Sequence, residues 1–483
     1  MKLLALFLVL WGCVKPTVEP PPGQTVFILP ANAPPPLGSV PRPGFVTLDR
    51  LEDTMVLDLQ NLGSRQERED ARYLIACDRV NQGLPVDEYE QGINIAMNRL
   101  SDERFLSNVT PIGQSRCIYR ISLDDYTLTN QDWLLIERAT LLDVVPDTNR
   151  NQTLQALTQT LKPYIFGVET LAMYEGDEVA DRGGQVYYSL TNQALLTVDF
   201  LAQEGINLQR EVDDENVLFI GGSQSQIALG KTRLLQVIES DNGFCMGTFD
   251  FVLGGDDLFT NPFSLELAQA GGVLRSNKIL QFDAQEWICS LDNGLFGKWR
   301  LNNNVGGGGG SAEVEAPTAI VVNVSNAAVD AAIRIGDCNQ CHYTQVAIPF
   351  ADQIANHLRS NSAFNADEKQ LGSIFFRQDK VSAVINEINT RNLRALQDMG
   401  VTAAQDPLTQ VVWKPFRAEM NAAQVAGFTF LTTENFIQLL RGTDLSSQVF
   451  GNLLNGGTVS LATLSANFST LVAELGIFKD NEL

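Results

Sequence analysis

Seven cysteines constrain this chain more than any other feature, because each calls for a covalent partner, a ligand or burial. They are Cys13, Cys77, Cys117, Cys245, Cys289, Cys338 and Cys341. Cys13 stands alone near the start, and Cys338 and Cys341 have two residues between them. The remaining four are spread through the body of the chain. An even number of body cysteines reads as two disulfides if the chain folds in an oxidising compartment, and as four buried thiols if it does not. Four cysteines allow three pairings. The local one, Cys77–Cys117 with Cys245–Cys289, is expected.

The first residues, "MKLLALFLVLWGC", bear on the compartment. Lys2 is a short basic start, and Leu3 to Trp11 form an apolar run. That run is far below the roughly 20 residues of a spanning helix, so it reads as a signal peptide. Leu10-Trp11-Gly12-Cys13 resembles a bacterial lipobox, which makes Cys13 the lipidated residue and 1–13 the leader. An ordinary secretory leader with a chance cysteine is the alternative. Val14 stands where an aspartate would favour the inner membrane, so lipid anchoring to the outer membrane of a bacterial cell envelope is expected. Residues 14–45 are rich in proline ("EPPPG", "ANAPPPLGSVPRPG") and read as an extended, semi-stiff tether.

Of 483 residues, 44% are hydrophobic and 19% charged, which suits a folded chain of more than one domain. The net charge of -23 argues against nucleic acid as a partner, since phosphates would be repelled. Residues 46–301 read as an α+β region with antiparallel strands. "SRQEREDARYLIACDRV", "VDEYEQGINIAMNRL", "TNQDWLLIERA" and "NQALLTVDFLAQEG" have helical spacing. "CIYRISL", "QVYYSL", "NVLFIGG", "RLLQVIES", "GTFDFVL", "EWICSL" and "LFGKWRL" read as strands. "NNNVGGGGGS" then marks a break, with 302–315 a linker or long hairpin loop. Residues 316–483 read as mainly helical: "AAVDAAIRIG", "PFADQIANHLRSN", "DKVSAVINEINTRNLRALQDMG", "TTENFIQLLRG" and "LATLSANFSTLVAEL". Ser, Thr, Asn or Asp stands at several of the starts, and Gly400 and Gly442 at helix ends.

The chemistry concentrates at Cys338-Asn339-Gln340-Cys341-His342. Two thiols at this spacing match the two vinyl groups of haem, and an adjoining histidine falls beneath the iron. The chain has two histidines in all, so one of them landing here is informative. Covalent haem c, one per chain, is therefore expected, held by Cys338, Cys341 and His342. A zinc site from Cys338, Cys341, His342 and His357, or a redox dithiol, are the alternatives. For the sixth iron ligand the candidates are His357, Met399 and Met420, and an open position is also compatible. Gly230-Lys231-Thr232 is not a phosphate loop, because Ser225 stands where that motif needs glycine. The acidic pairs Asp124-Asp125, Asp213-Asp214 and Asp256-Asp257 read as solvated loops.

The order "RCIYRISLDDY", "GFCMGTFDF", "EWICSLDNGLFGKWRL", "AAIRIGDCNQCHY" and "SANFSTLVAEL" resembles a family of uncharacterised single-haem envelope c-type cytochromes of proteobacteria, myxobacteria and planctomycetes. The resemblance implies one covalent haem on Cys338, Cys341 and His342; with the helical pattern of 316–483, a mainly α-helical cytochrome c-like C-terminal domain is expected. The combined expectation is an outer-membrane lipoprotein that carries electrons to or from a redox partner protein and is not itself an enzyme. A haem-based redox or gas sensor, or a haem peroxidase, is the competing class.

Overall fold

The computed structural model describes residues 45–82, 86–101, 103–139, 142, 148–160, 163–166, 183–194, 197–222, 232–251, 259, 282–303, 320–322, 331–333, 342–344, 346, 351–402, 407 and 419–477. It is an α+β structure with antiparallel sheets and many helices.

The stretch from Ser64 to Val80 departs from the single helix its spacing suggests. A short helix, Arg65–Asp70, starts with a capping box between Ser64 and Glu67. Strand β1, Ala71–Ile75, follows with all five residues buried, and a second short helix spans Cys77–Gln82. β1 lies inside a sheet of order β2-β3-β1-β4, where β2 is Thr110–Ile112, β3 is Ile118–Ser122 and β4 is Tyr164–Phe166. It pairs antiparallel with β3 and parallel with β4. All five residues of β1, Arg72 included, are buried, so the strand shows no in–out alternation to separate it from a helix. The Cys77–Cys117 disulfide closes one end of the β1–β3 pair, with Cα atoms 4.9 Å apart.

The second sheet is an antiparallel meander in chain order: β5 (Leu218–Gly222), β6 (Thr232–Ser240), β7 (Gly243–Phe251), β8 (Phe282–Ser290) and β9 (Phe296–Asn303). Each corresponds to an expected strand. Cys245 on β7 stands directly opposite Cys289 on β8, and the two form the second disulfide. Two rungs along, Gly247 stands opposite Trp287. A Cβ at Gly247 would lie 2.9 Å from the Trp287 ring, so the bare backbone makes room for the indole.

Alternation along these strands sorts side chains onto two faces. Ile220, Leu235, Val237, Met246 and Ile288 enter one apolar cluster. Phe219, Leu234, Ile238, Phe249 and Trp287 enter another. The meander therefore separates two cores. The first core also takes Leu51, Met55 and Tyr73 from before the glycine-rich stretch, and Phe436, Leu464 and Leu471 from after it. Both parts of the chain thus bury side chains in one core.

After residue 350 the described elements are mainly helical. Helix Gln353–Ser360 begins at Asp352, whose Oδ1 accepts from the Ala355 N–H at 3.1 Å. The same oxygen accepts from the Gly221 N–H at 3.3 Å, on the outer edge of β5. Helix Gln378–Asp398 buries Val381, Ile385, Ile388, Asn392 and Ala395 at alternating three- and four-residue steps. Gly400 follows it at φ 76°. Helices Thr433–Leu440 and Leu461–Leu475 start on the side chains of Thr432 and Ser460.

Two segments differ from expectation. "QVYYSL" lies in the helix Gly183–Leu190, where the adjacent Tyr187 and Tyr188 are both buried. Neighbours on a strand would point to opposite faces, whereas neighbours on a helix can share one core. Within "AAVDAAIRIG", Ala331–Ile333 forms strand β11, paired with β10 (Ile320–Val322). Its β-branched Ile333 faces Ile320 across the ladder, a pairing that local spacing does not reveal. Asn302 and Asn303 complete β9, and Gly306 to Gly310 lie outside the described residues. Among the described residues, no helix is long and apolar enough to cross a membrane.

Candidate functional site

His342 is half-buried, and the residues around it set its orientation. Its Nδ1 contacts the backbone carbonyl of Val346. A carbonyl oxygen only accepts, so Nδ1 carries the proton and the lone pair of the neutral ring is on Nε2. This is the tautomer in which an imidazole can bind a metal through Nε2, with the Nδ1 hydrogen bond orienting the ring.

The loop is held from both sides. Tyr343 and Val346 are buried in the first core, at 6% and 0% exposure. The Tyr343 carbonyl accepts from Asn392 Nδ2 at 2.8 Å. Asn392 is fully buried on helix Gln378–Asp398, and its Oδ1 accepts from the Phe296 N–H at 3.1 Å, where β9 begins. One amide thus joins the motif loop, the long helix and the five-stranded sheet. The helix approaches that hairpin closely at Gly294, φ 89°, where an added Cβ would touch the Ala395 methyl at 3.7 Å.

Cys338, Cys341 and Cys13 lie outside the described residues. The candidate sixth ligands are placed differently from one another. His357 is on helix Gln353–Ser360, beside Leu358 and Phe364 of the second core. Its ring meets Phe259 and Phe364 edge-on, at 5.4 and 5.7 Å between centroids. Its Nε2 accepts from Asn361 Nδ2 at 3.1 Å. The five-stranded sheet separates this core from the one holding Tyr343 and Val346, so the structure does not bring the two histidines together. Met399 and Met420 are both buried in the first core with Tyr343 and Val346. Met399 continues the buried stripe of the long helix, seven residues beyond Asn392. Of the haem-binding set expected from the sequence, the structure describes His342, with Nδ1 on the Val346 carbonyl.

Comparison with protein-family models, with curated proteins and with solved structures finds no match to this chain. The reading of the site therefore stands on its own chemistry.

Other candidate groups are accounted for locally. Glu204, Cys245 and Cys289 are the one set of three metal-ligating side chains found close together among the described residues, with ligand atoms within 4.8 Å. The two sulfurs are bonded to each other, and Glu204 Oε1 meets Lys298 Nζ at 2.7 Å, so the set forms a structural cluster. A cleft of about 620 Å³ lies between helix Leu48–Asn61 and the edge strand β2. Its Asp58 is held by Tyr73 Oη at 2.8 Å and Arg120 Nη1 at 2.7 Å. Gly230 and Lys231 are outside the described residues, and Thr232 opens β6. Asp124, Asp125, Asp213 and Asp214 are exposed, while Asp256 and Asp257 are outside the described residues.

Asn392 escapes a motif search. A signal for it exists, since it is the polar position in an otherwise apolar stripe, and a buried amide there requires partners.

Proposed function

We propose that this chain is a bacterial envelope lipoprotein that carries one covalent haem and transfers electrons to or from a redox partner protein. The observation that carries the reading is the CNQCH motif together with its histidine, whose Nδ1 is committed to the Val346 carbonyl. Cys338 and Cys341 would each add a thiol across a vinyl double bond, forming a carbon–sulfur bond and placing the proton on the neighbouring carbon. His342 would ligate through Nε2. When bound, haem supplies a one-electron iron couple, and the thioethers retain it in both oxidation states. Residues 316–483 then serve as a cytochrome c-like domain.

For the sixth position Met399 and Met420 are preferred, because His357 packs in the core on the other side of the five-stranded sheet from Tyr343 and Val346. In this reading Cys13 takes the lipid, and residues 14–45 hold the folded body away from the outer membrane.

A haem-stained gel of membrane fractions tests the proposal, in cells that make c-type cytochromes. A covalent haem band at the mass of this chain is expected, and it is lost in the double variant Cys338→Ser/Cys341→Ser. A chain that stays unstained, or a band that persists in the double variant, refutes covalent attachment. Carbon monoxide added to the reduced protein tests the sixth ligand. Met399→Ala or Met420→Ala should open the iron to it, whereas His357→Ala should leave its response as in the parent.

A further inference from the structure

We infer that Asn392 is the positioning residue for His342, so that helix Gln378–Asp398 and the five-stranded sheet together fix the imidazole that presents Nε2 to the iron. The inference rests on reading His342 as the axial ligand, and its geometric core can be tested without haem.

A histidine in a loop can rotate about two bonds and exchange its proton between two nitrogens. The Val346 carbonyl beneath Nδ1 restrains both freedoms. That carbonyl lies four residues along the same loop. Its position depends on where the loop is pinned, and one such pin is the carbonyl of Tyr343, the residue next to the histidine. Asn392 Nδ2 donates to that carbonyl at 2.8 Å.

The asparagine is itself held by the Phe296 N–H on its Oδ1, at 3.1 Å. It has no exposure through which water could replace either bond. An amide is the side chain that meets both demands, because one end must donate to a carbonyl and the other must accept from an N–H. A carboxylate of the same shape would keep the bond to Phe296 and turn an oxygen toward the Tyr343 carbonyl.

The test uses Asn392→Asp in protein labelled with ¹⁵N at histidine. Two histidines give two pairs of ring-nitrogen signals, and His342→Gln assigns them. Both rings should have Nδ1 protonated in the parent, since Asn361 donates to Nε2 of His357. In Asn392→Asp, His342 should lose this pattern and exchange between tautomers, while His357 keeps it.

Asn293→Asp is the control. Asn293 is a second buried asparagine, in the β8–β9 turn, donating to the Asn98 carbonyl at 2.8 Å and accepting from the Leu295 N–H at 3.1 Å. It should leave His342 unchanged. Asn392→Ser, too short to span both partners, provides a second variant and should give the same loss at His342. An unchanged His342 in a folded Asn392 variant overturns the inference, as does an equal change in Asn293→Asp. Unfolding of both Asn392 variants would assign the amide to core stability alone and overturn it too.

In haem-loaded protein, Asn392→Asp should keep the covalent stain and shift the reduction potential, which Asn293→Asp should not. If the parent binds no haem, the proposed function fails while the tautomer result still decides the role of Asn392.

Discussion

Asp78 is a carboxyl with almost no access to water, at 2% exposure, in the first turn of helix Cys77–Gln82. Burial pushes its pKa up to about 6, and the nearby Arg79 only partly opposes this. An unfolded aspartate titrates near about 3.9. Between these values the folded chain holds a proton that the unfolded chain has released. Stability therefore falls as pH rises through about 6, and the full cost applies above that. Asp78→Asn should raise stability at pH 7.5 by up to about 3 kcal/mol and leave it nearly unchanged at pH 4. Thermal melts at the two pH values check this, and an equal shift at both would contradict it. At this scale the sequence was informative where residues were scarce or paired. His342 stood out because the chain has two histidines, and the four body cysteines paired by proximity along the chain. Asn392 did not stand out, because its partners lie 49 and 96 residues away in sequence.

Helix Ala422–Phe428 meets helix Cys77–Gln82 at Gly427. A Cβ at that position would lie 2.8 Å from Gln82 Nε2 and 3.0 Å from the Asp78 carbonyl oxygen. The glutamine can swing aside, but the carbonyl belongs to a backbone fixed next to the Cys77–Cys117 disulfide. Gly427→Val should therefore lose about 2–3 kcal/mol from overpacking, measured by urea unfolding. Gly427→Ala should lose less, because about 1 kcal/mol of helix propensity is recovered. Wild-type behaviour in the valine variant would mean that the helices can separate at no cost. Helices with a polar cap and a continuous apolar stripe, such as Gln353–Ser360 and Leu461–Leu475, were legible from the sequence. So were the five strands of the meander. β1 and β11 were not, because a short run without alternation adopts whichever ladder its partners offer, and those partners come from elsewhere in the chain.

Two disulfides span sequence separations of 40 and 44 residues, one at the end of the β1–β3 pair and one between β7 and β8. Each should contribute about 4 kcal/mol by restricting the unfolded chain. Replacing either pair with serine should lower the melting temperature, and no change would contradict this. All four cysteines have 0% exposure, so thiol titration after a reductant should detect them only once the protein is unfolded. At the outer margin of the molecule, strand β5 ends its sheet, and an open terminal strand invites pairing with another chain. Asp352 already occupies the Gly221 N–H there, and its helix lies along that margin. Copies crowded side by side on a surface would meet one another through side chains along this edge rather than through open backbone. The carboxylate that starts a helix thus also guards against neighbouring copies zipping into a common sheet.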